Sequence, residues 1–486
     1  MTLSERFHEL VRAGFAGVYV TTNEPTEAIA SLAKLANQQS WAFAVWDVDA
    51  GLQCSGSPAT AVDPLSAVRA ASAMAKPEHT AVLVLRNFHR FLQGIDIVQA
   101  VERQLARGKA EGVVLVVLAP SMQLPIELER SFLVLDHELP SAEELRAIAE
   151  GLDRRVGAES GEALDRVVEA AAGLTRTESE NAFALSLVRK DRFDPEVVWE
   201  IKAQTLAKGL IVQLHRGNDA FNRLGGLYGL KNFCHRLLTT RRTSTEKPKG
   251  VLLLGVPGSG KSAFAKSLGN ETGRPTLSLD FGALMGSLVG ETERNVRRAL
   301  KTIDAMAPCI CFVDEIEKGL AGAQGHQGDS GVSARLFGTL LSWLNDHESD
   351  VFFIATANEI SRLPPEFARA ERFDALFFLD LPGRQTKAEL WSMYGHAFGI
   401  DVTKRPDDDQ WTPAEIKACC RLAALLDIPV KDAAKNVVPV SSTGAESVAK
   451  LRQWASGRCL DAGSGEVFRL QPTTARRRPL PDPSNN

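Results

Sequence analysis

Four short stretches hold residues whose types and order suit phosphate chemistry. Gly255-Val256-Pro257-Gly258-Ser259-Gly260-Lys261-Ser262 fits GxxxxGK[ST] and lies between the apolar run Val251–Leu254 and a helical pattern over Ala263–Gly269. Glycines let such a loop curl until its N–H groups face phosphate oxygens, and the helix behind it presents its N-terminus to the same charge. In that role Lys261 brings a point charge to the β- and γ-phosphates of ATP, and Ser262 brings a hydroxyl to Mg²⁺. Downstream, Ile310-Cys311-Phe312-Val313 runs into Asp314-Glu315. Asp314 is expected to hold Mg²⁺ through water, and Glu315 to orient and deprotonate the attacking water. Asn358, closing Ala355-Thr356-Ala357-Asn358, is expected beside the γ-phosphate, although a turn-capping asparagine reads the same way there. Arg369 and Arg372, three apart, face one direction at a helix end. In an oligomer they can reach the γ-phosphate of a neighbouring subunit.

These residues need a sheet to position them. Strand patterns at Gly250–Leu254, Thr276–Asp280, Cys309–Val313, Val351–Ala355 and Ala375–Leu379 predict a parallel α/β sheet whose C-terminal edge gathers the loop and the carboxylates. A similar alternation precedes it. Apolar runs at Gly17–Thr21, Ala42–Trp46, Ala81–Leu85 and Val113–Leu118 are separated by helical patterns at Pro25–Asn37, Ala61–Met74 and Gly94–Arg107. The stretches from Val113 and from Val351 share one plan of strand, Leu-Pro, charged helix, strand and Leu-Pro again, which indicates two copies of one fold. The expected division is an α/β domain over 1–140, a helical segment over 141–206, an ATPase core over 221–382, a helical lid over 383–456 and a disordered tail over 457–486. The first copy has no phosphate loop. Asn87, after its strand Ala81–Leu85, is expected to replace the aspartate, so this copy reads as one that no longer hydrolyses nucleotide.

Composition narrows the remaining classes. The chain has 486 residues, with 56 Lys and Arg against 60 Asp and Glu, a balance that does not suit a protein coating nucleic acid. Short basic runs at Arg241-Arg242 and Arg476-Arg477-Arg478 leave a nucleic-acid contact as a minor reading. Seven cysteines without zinc spacing fit a reducing compartment. The start lacks a signal-peptide apolar core and no run is long enough to span a bilayer, so a cytoplasmic chain without an anchor is expected. His79, His89 and His137 are irregularly spaced and predict no metal beyond Mg²⁺.

The four motifs in this order resemble the AAA ATPases over roughly Phe221 to Ser456. Asn222-Arg223-Leu224-Gly225-Gly226-Leu227 resembles that family's segment near the adenine, and Trp411-Thr412-Pro413-Ala414-Glu415-Ile416 its lid segment, with Pro413 where glycine is usual. The whole chain is similar to the hypothetical chloroplast frame forty-six family, through Gly286–Glu293, Ala307–Gly319, Gly331–Trp343 and Gly173–Ala182. The resemblance implies a P-loop AAA module with a helical lid, preceded by a degenerate AAA-like α/β domain. It also implies an assembly of identical subunits, hexameric by preference, that remodels a protein client. Two departures stand out. Leu288 takes the first-pore-loop position where threading motors carry an aromatic, and Glu371 separates the two arginines where glycine is usual. A nucleotide-gated switch or scaffold with slow hydrolysis, and a DNA-processing ATPase, are the alternative readings. The Gly-rich stretch Gly319–Gly331 is expected to be a loop that lines a pore, touches a client or merely connects.

Overall fold

The computed structural model describes residues 2–54, 61–75, 79–152, 161–208, 212–215, 217, 219–240, 246–280, 291–320, 330–359, 363, 372–440 and 444–470. Contacts divide the chain into two compact units, Met1–Val198 and Trp199–Asn486, each built on its own sheet.

In the first unit the strands are β1 (Gly17–Thr21), β2 (Ala42–Asp47), β3 (Gly51–Cys54), β4 (Ala81–Arg86), β5 (Val113–Ala119) and β6 (Leu133–Asp136), ordered β3-β2-β4-β5-β1-β6. Every pairing is parallel except β2 with β3. Successive residues face opposite layers. Leu83, Leu85, Leu115 and Val117 join Val101 and Leu105 of the helix Ile95–Glu111, while Val82, Val84, Val114 and Val116 join Leu32 and Leu35 of the helix Pro25–Gln38. Both faces are therefore covered, which is why these strands read as unbroken apolar runs. The helix expected from Ala61 begins only at Pro64, because the Asp63 side chain accepts the Ser66 N–H and proline suits the first turn. Helices Ala142–Leu152, Gly161–Ala171 and Arg176–Lys190 follow.

The second unit holds β7 (Val212–His215), β8 (Gly250–Gly255), β9 (Thr276–Leu279), β10 (Cys309–Val313), β11 (Val351–Ala357), β12 (Ala375–Leu379) and β13 (Leu460–Asp461). Their order is β7-β9-β10-β11-β8-β12-β13, parallel except for β7 with β9. Helices Arg384–Phe398 and Pro413–Leu426 pack around a separate core that includes Trp391, Trp411 and Ile416.

Two expected boundaries need correction, and one short strand was not foreseen. The second α/β pattern begins at Val212 rather than near Phe221; β7 is an edge strand whose alternating Val212-Gln213-Leu214-His215 is too short and polar to stand out. β3 was hidden for the same reason. The expected disordered tail from residue 457 is instead folded over 457–470: Cys459 and Ala462 are buried, β13 pairs with β12, and the Phe468 ring lies 4.7 Å from that of Phe378. Residues 471–486 lie outside the described residues.

From the antiparallel edge inward, the two sheets share one strand order, which supports the duplication seen in sequence. Register makes the equivalence residue by residue. Ala81 of β4 faces Val113, the first residue of β5, and Cys309 of β10 faces Val351, the first residue of β11. Counting along, Arg86 takes the place of Asp314 and Asn87 that of Glu315. Asn87 and Glu315 also share a left-handed backbone, with φ of 54° and 48°. The expectation that Asn87 replaces the aspartate is corrected accordingly: a guanidinium stands there. Likewise Gly17 of β1 and Gly250 of β8 face the third residues of β5 and β11. After β1, only Thr22-Asn23-Glu24 precede the next helix, against five residues after β8. A loop that short has no room to wrap a phosphate.

A carboxylate stands in that shortened loop. Glu24 is 8% exposed. Its Oε2 pairs with Arg176 Nη1 at 3.1 Å and its Oε1 accepts the Arg176 N–H. Arg176 also reaches Glu144 Oε1 at 2.9 Å. His137 Nδ1 lies 2.9 Å from Thr22 Oγ1, and burial, aided by Arg176, pushes its imidazole down to about 4. The charged cluster thus ties the sheet edge to the helical segment behind it. Arg176→Ala should destabilise the first unit by on the order of 2 kcal/mol, less than the ~3–5 kcal/mol of a fully buried pair. The check is denaturant unfolding.

Lys202, in the second unit, is 1% exposed, with Nζ 4.4 Å from the centre of the Trp199 ring. Burial lowers its ammonium from 10.5 to about 7, an effect the nearby Cys309 opposes. Between pH 7 and 10.5 the unfolded chain keeps this proton while the folded chain releases it, so stability rises with pH. Melting temperature should climb from pH 7 to pH 9, and Lys202→Met should flatten that slope.

Candidate functional site

The ends of β8, β10 and β11 meet at one edge of the second sheet because the three are parallel and adjacent. β8 leads into the phosphate-loop sequence, whose Gly258 and Gly260 have φ of +80° and +100°, a curl that side chains resist. A Cβ at Gly258 would stand 2.9 Å from Ala414 Cβ. Lys261 is 6% exposed and its Nζ donates to Gly255 O at 2.8 Å and Val256 O at 3.0 Å. Burial lowers its ammonium to about 8, against the pull of Asp314, Glu317 and Glu315.

Asp314 follows β10 and faces the loop: Ser262 Oγ donates to its Oδ1 and Oδ2 at 3.0 and 2.9 Å. A hydroxyl beside a carboxylate is the hard-oxygen set that Mg²⁺ takes. The Thr356 hydroxyl, fully buried on β11, donates to Asp314 Oδ1 and accepts the Glu315 N–H at 2.9 Å. That bond holds Glu315 in its left-handed conformation, which costs a non-glycine residue roughly 1–3 kcal/mol. Asn358 Nδ2 in turn donates to Glu315 Oε1 at 2.9 Å, and Lys318 pairs with Glu315 Oε2.

The site also fits a nucleotide by what it leaves unsatisfied. Ser259 Oγ in the loop and Asn358 Oδ1 are buried with no hydrogen-bond partner. Buried polar atoms are rarely left so: a phosphate oxygen would satisfy the Ser259 hydroxyl, whereas Asn358 Oδ1, an acceptor, needs a donor such as water. Across the loop stands the helical segment resembling a lid. Thr412 caps the helix Pro413–Leu426 with Glu415, and the Ala414 N–H donates to Gly258 O at 3.2 Å. Pro413 fills the first helical position, where a missing N–H costs nothing, so its departure from glycine is compatible with this contact.

Gly255 to Ser262, Asp314, Glu315 and Asn358 are thus brought together. The arginines are not. Arg369 lies outside the described residues, as do Glu371, Leu288 and most of Gly319–Gly331. Arg372 is half-buried just ahead of β12, whose first residue pairs with Val251 while its last pairs with Gly255. Arg372 is therefore at the opposite edge of the sheet from its own chain's phosphate loop, a strand length of roughly 13 Å away.

Two residues of the site were not foreseen. Thr356 could have been found as the lone hydroxyl in a strand buried along all seven residues, since a buried hydroxyl needs a partner. Glu317, buried, accepts the Asn358 N–H through Oε1 at 2.9 Å, and nothing in the sequence separates it from a solvated glutamate.

The model for the ATPase family associated with various cellular activities (AAA) matches residues 251–381. Models for the SpoVK-like AAA ATPase N-terminal domain and second domain match residues 3–137 and 142–209. An uncharacterized AAA domain-containing protein ycf46 from Guillardia theta is 28% identical over 94% of this chain and 95% of its own length. Its counterpart from Pyropia yezoensis is 29% identical over 78% of this chain and 82% of that protein. A cell division cycle protein 48 homolog from Archaeoglobus fulgidus is 30% identical over 44% of this chain and 31% of its own. Among the described residues no helix is long and apolar enough to cross a membrane. The chain therefore carries an AAA module behind SpoVK-like amino-terminal domains and is similar, along most of its length, to the ycf46-type AAA domain-containing proteins.

Proposed function

We propose that the chain binds ATP with Mg²⁺ at Gly255–Ser262 and hydrolyses it, as an oligomer that remodels a protein partner. The observation that carries this reading is the contact of Asn358 Nδ2 with Glu315 Oε1, beside the Ser262–Asp314 pair. Lys261 leaves its own loop carbonyls to meet the β- and γ-phosphates, while the loop N–H groups and the Ser259 hydroxyl receive further oxygens. Ser262 and Asp314 hold Mg²⁺, which supplies charge neutralisation at the phosphates. Glu315, aimed by Asn358, takes the proton of the attacking water. Because Arg372 lies at the far edge of its own sheet, it and Arg369 serve the site of the next subunit, and a hexamer is the favoured ring. The match of residues 251–381 to the AAA family model supports the ATPase part.

The Lys318–Glu315 ion pair favours a second reading, a nucleotide-gated switch with slow turnover, since the lysine competes with water for the carboxylate.

Lys261→Ala should weaken binding of a fluorescent ATP analogue by about 10–100-fold, the worth of a charged hydrogen bond. Glu315→Gln should keep nucleotide binding but lower kcat by ~10²–10⁴-fold, and should hold ATP in an assembled form visible by sedimentation. A wild-type protein without ATP-dependent phosphate release would remove the proposal. A Glu315→Gln protein that stays monomeric with ATP would remove the shared site.

A further inference from the structure

Glu317 is a charged residue with no evident work in the core. It lies in the short helix Ile316–Leu320, is 3% exposed, and uses Oε1 to accept the backbone N–H of Asn358 at 2.9 Å. Its Oε2 has no partner. Burial raises its carboxyl above the usual carboxylate range, so the fold carries a cost by keeping it there. A neutral apolar side chain would fill the space without that cost. What Glu317 does hold is the backbone of the residue whose amide reaches Glu315.

The connections form a relay across two strand ends: Glu317 Oε1 to the Asn358 N–H, then Asn358 Nδ2 to Glu315 Oε1. Two acceptors of this relay, Glu317 Oε2 and Asn358 Oδ1, are buried and unpaired. Each such atom carries a desolvation cost until a donor meets it. Both await a donor, and a water molecule has two.

We propose that Glu317 is a positioning residue for the hydrolysis proposed above. It fixes the Asn358 backbone so that the Asn358 side chain aims Glu315, and its second oxygen receives a hydrogen bond from water in the loaded site. The inference rests on the reading of the site as an ATPase. Glu317 moves no proton and touches no reacting atom; it acts through Asn358.

The test compares Glu317→Ala with Glu317→Gln in the full chain, measuring steady-state phosphate release, KM and the affinity for a fluorescent ADP analogue. Glutamine keeps an oxygen that can accept the Asn358 N–H, whereas alanine does not. Glu317→Ala should lower kcat by roughly 10²-fold, the effect of a misplacement near 1 Å, with ADP affinity within about threefold of wild type. Glu317→Gln should recover most of that loss. Adding Asn358→Ala to Glu317→Ala should cost little more, because residues acting as one unit are not additive. Full activity in Glu317→Ala, parallel loss of kcat and ADP binding, no recovery with glutamine, or additive losses would each overturn the inference while leaving the ATPase reading standing. Absence of turnover in the wild type would overturn both.

Discussion

The buried hydroxyl of Thr356 is the interaction on which the geometry of the site depends. It sits between β10 and β11, accepts the Glu315 N–H and donates to Asp314. One side chain thereby fixes both carboxylates relative to the strand that carries Asn358. It also satisfies the backbone of a glutamate in a conformation that glutamates avoid. The left-handed turn at Glu315 separates the two acids, so that Asp314 faces Ser262 while Glu315 faces Asn358. Without that turn the two carboxylates would continue along one strand and point to opposite faces of the sheet.

The same turn recurs at Asn87 in the first unit, where the chemistry around it has been exchanged. A guanidinium, Arg86, stands where the metal-facing carboxylate would be, and would repel a cation. In the place of the phosphate loop stands the short link Thr22-Asn23-Glu24, and the carboxylate of Glu24 meets Arg176 there. The correspondence extends to the helix caps: Thr175 and Glu178 form the same reciprocal capping box as Thr412 and Glu415. In the second unit the capped helix touches the phosphate loop through Ala414; in the first it touches Glu24 through Arg176. An ion pair within the chain thus joins sheet edge and helical segment in the unit without a phosphate-loop sequence.

Local pattern made much of this readable in advance. Buried parallel strands, covered on both faces, appear as continuous apolar runs, so β1, β4, β5, β8, β10, β11 and β12 could be found within a residue or two. The phosphate-loop sequence and the Asp-Glu pair were legible because phosphate binding needs a fixed spacing of glycines and a lysine along one stretch of chain. The short edge strands β3 and β7 were not, since an edge needs only half its residues buried. Nor was the folded stretch 457–470, whose few apolar residues find partners far away in sequence, Phe468 against Phe378.

By itself the sequence determined which residues can meet a phosphate, a metal and a water, because those demands are written in residue type and local spacing. The tertiary structure decided which of them meet one another. It brought Asn358 onto Glu315, recruited Thr356 and Glu317, and set Arg372 at the far edge of its own sheet. It also placed Arg86, not Asn87, in the position of Asp314. Each of these is a matter of strand order and register, and those are fixed by burial over the whole sheet rather than by any neighbouring residue.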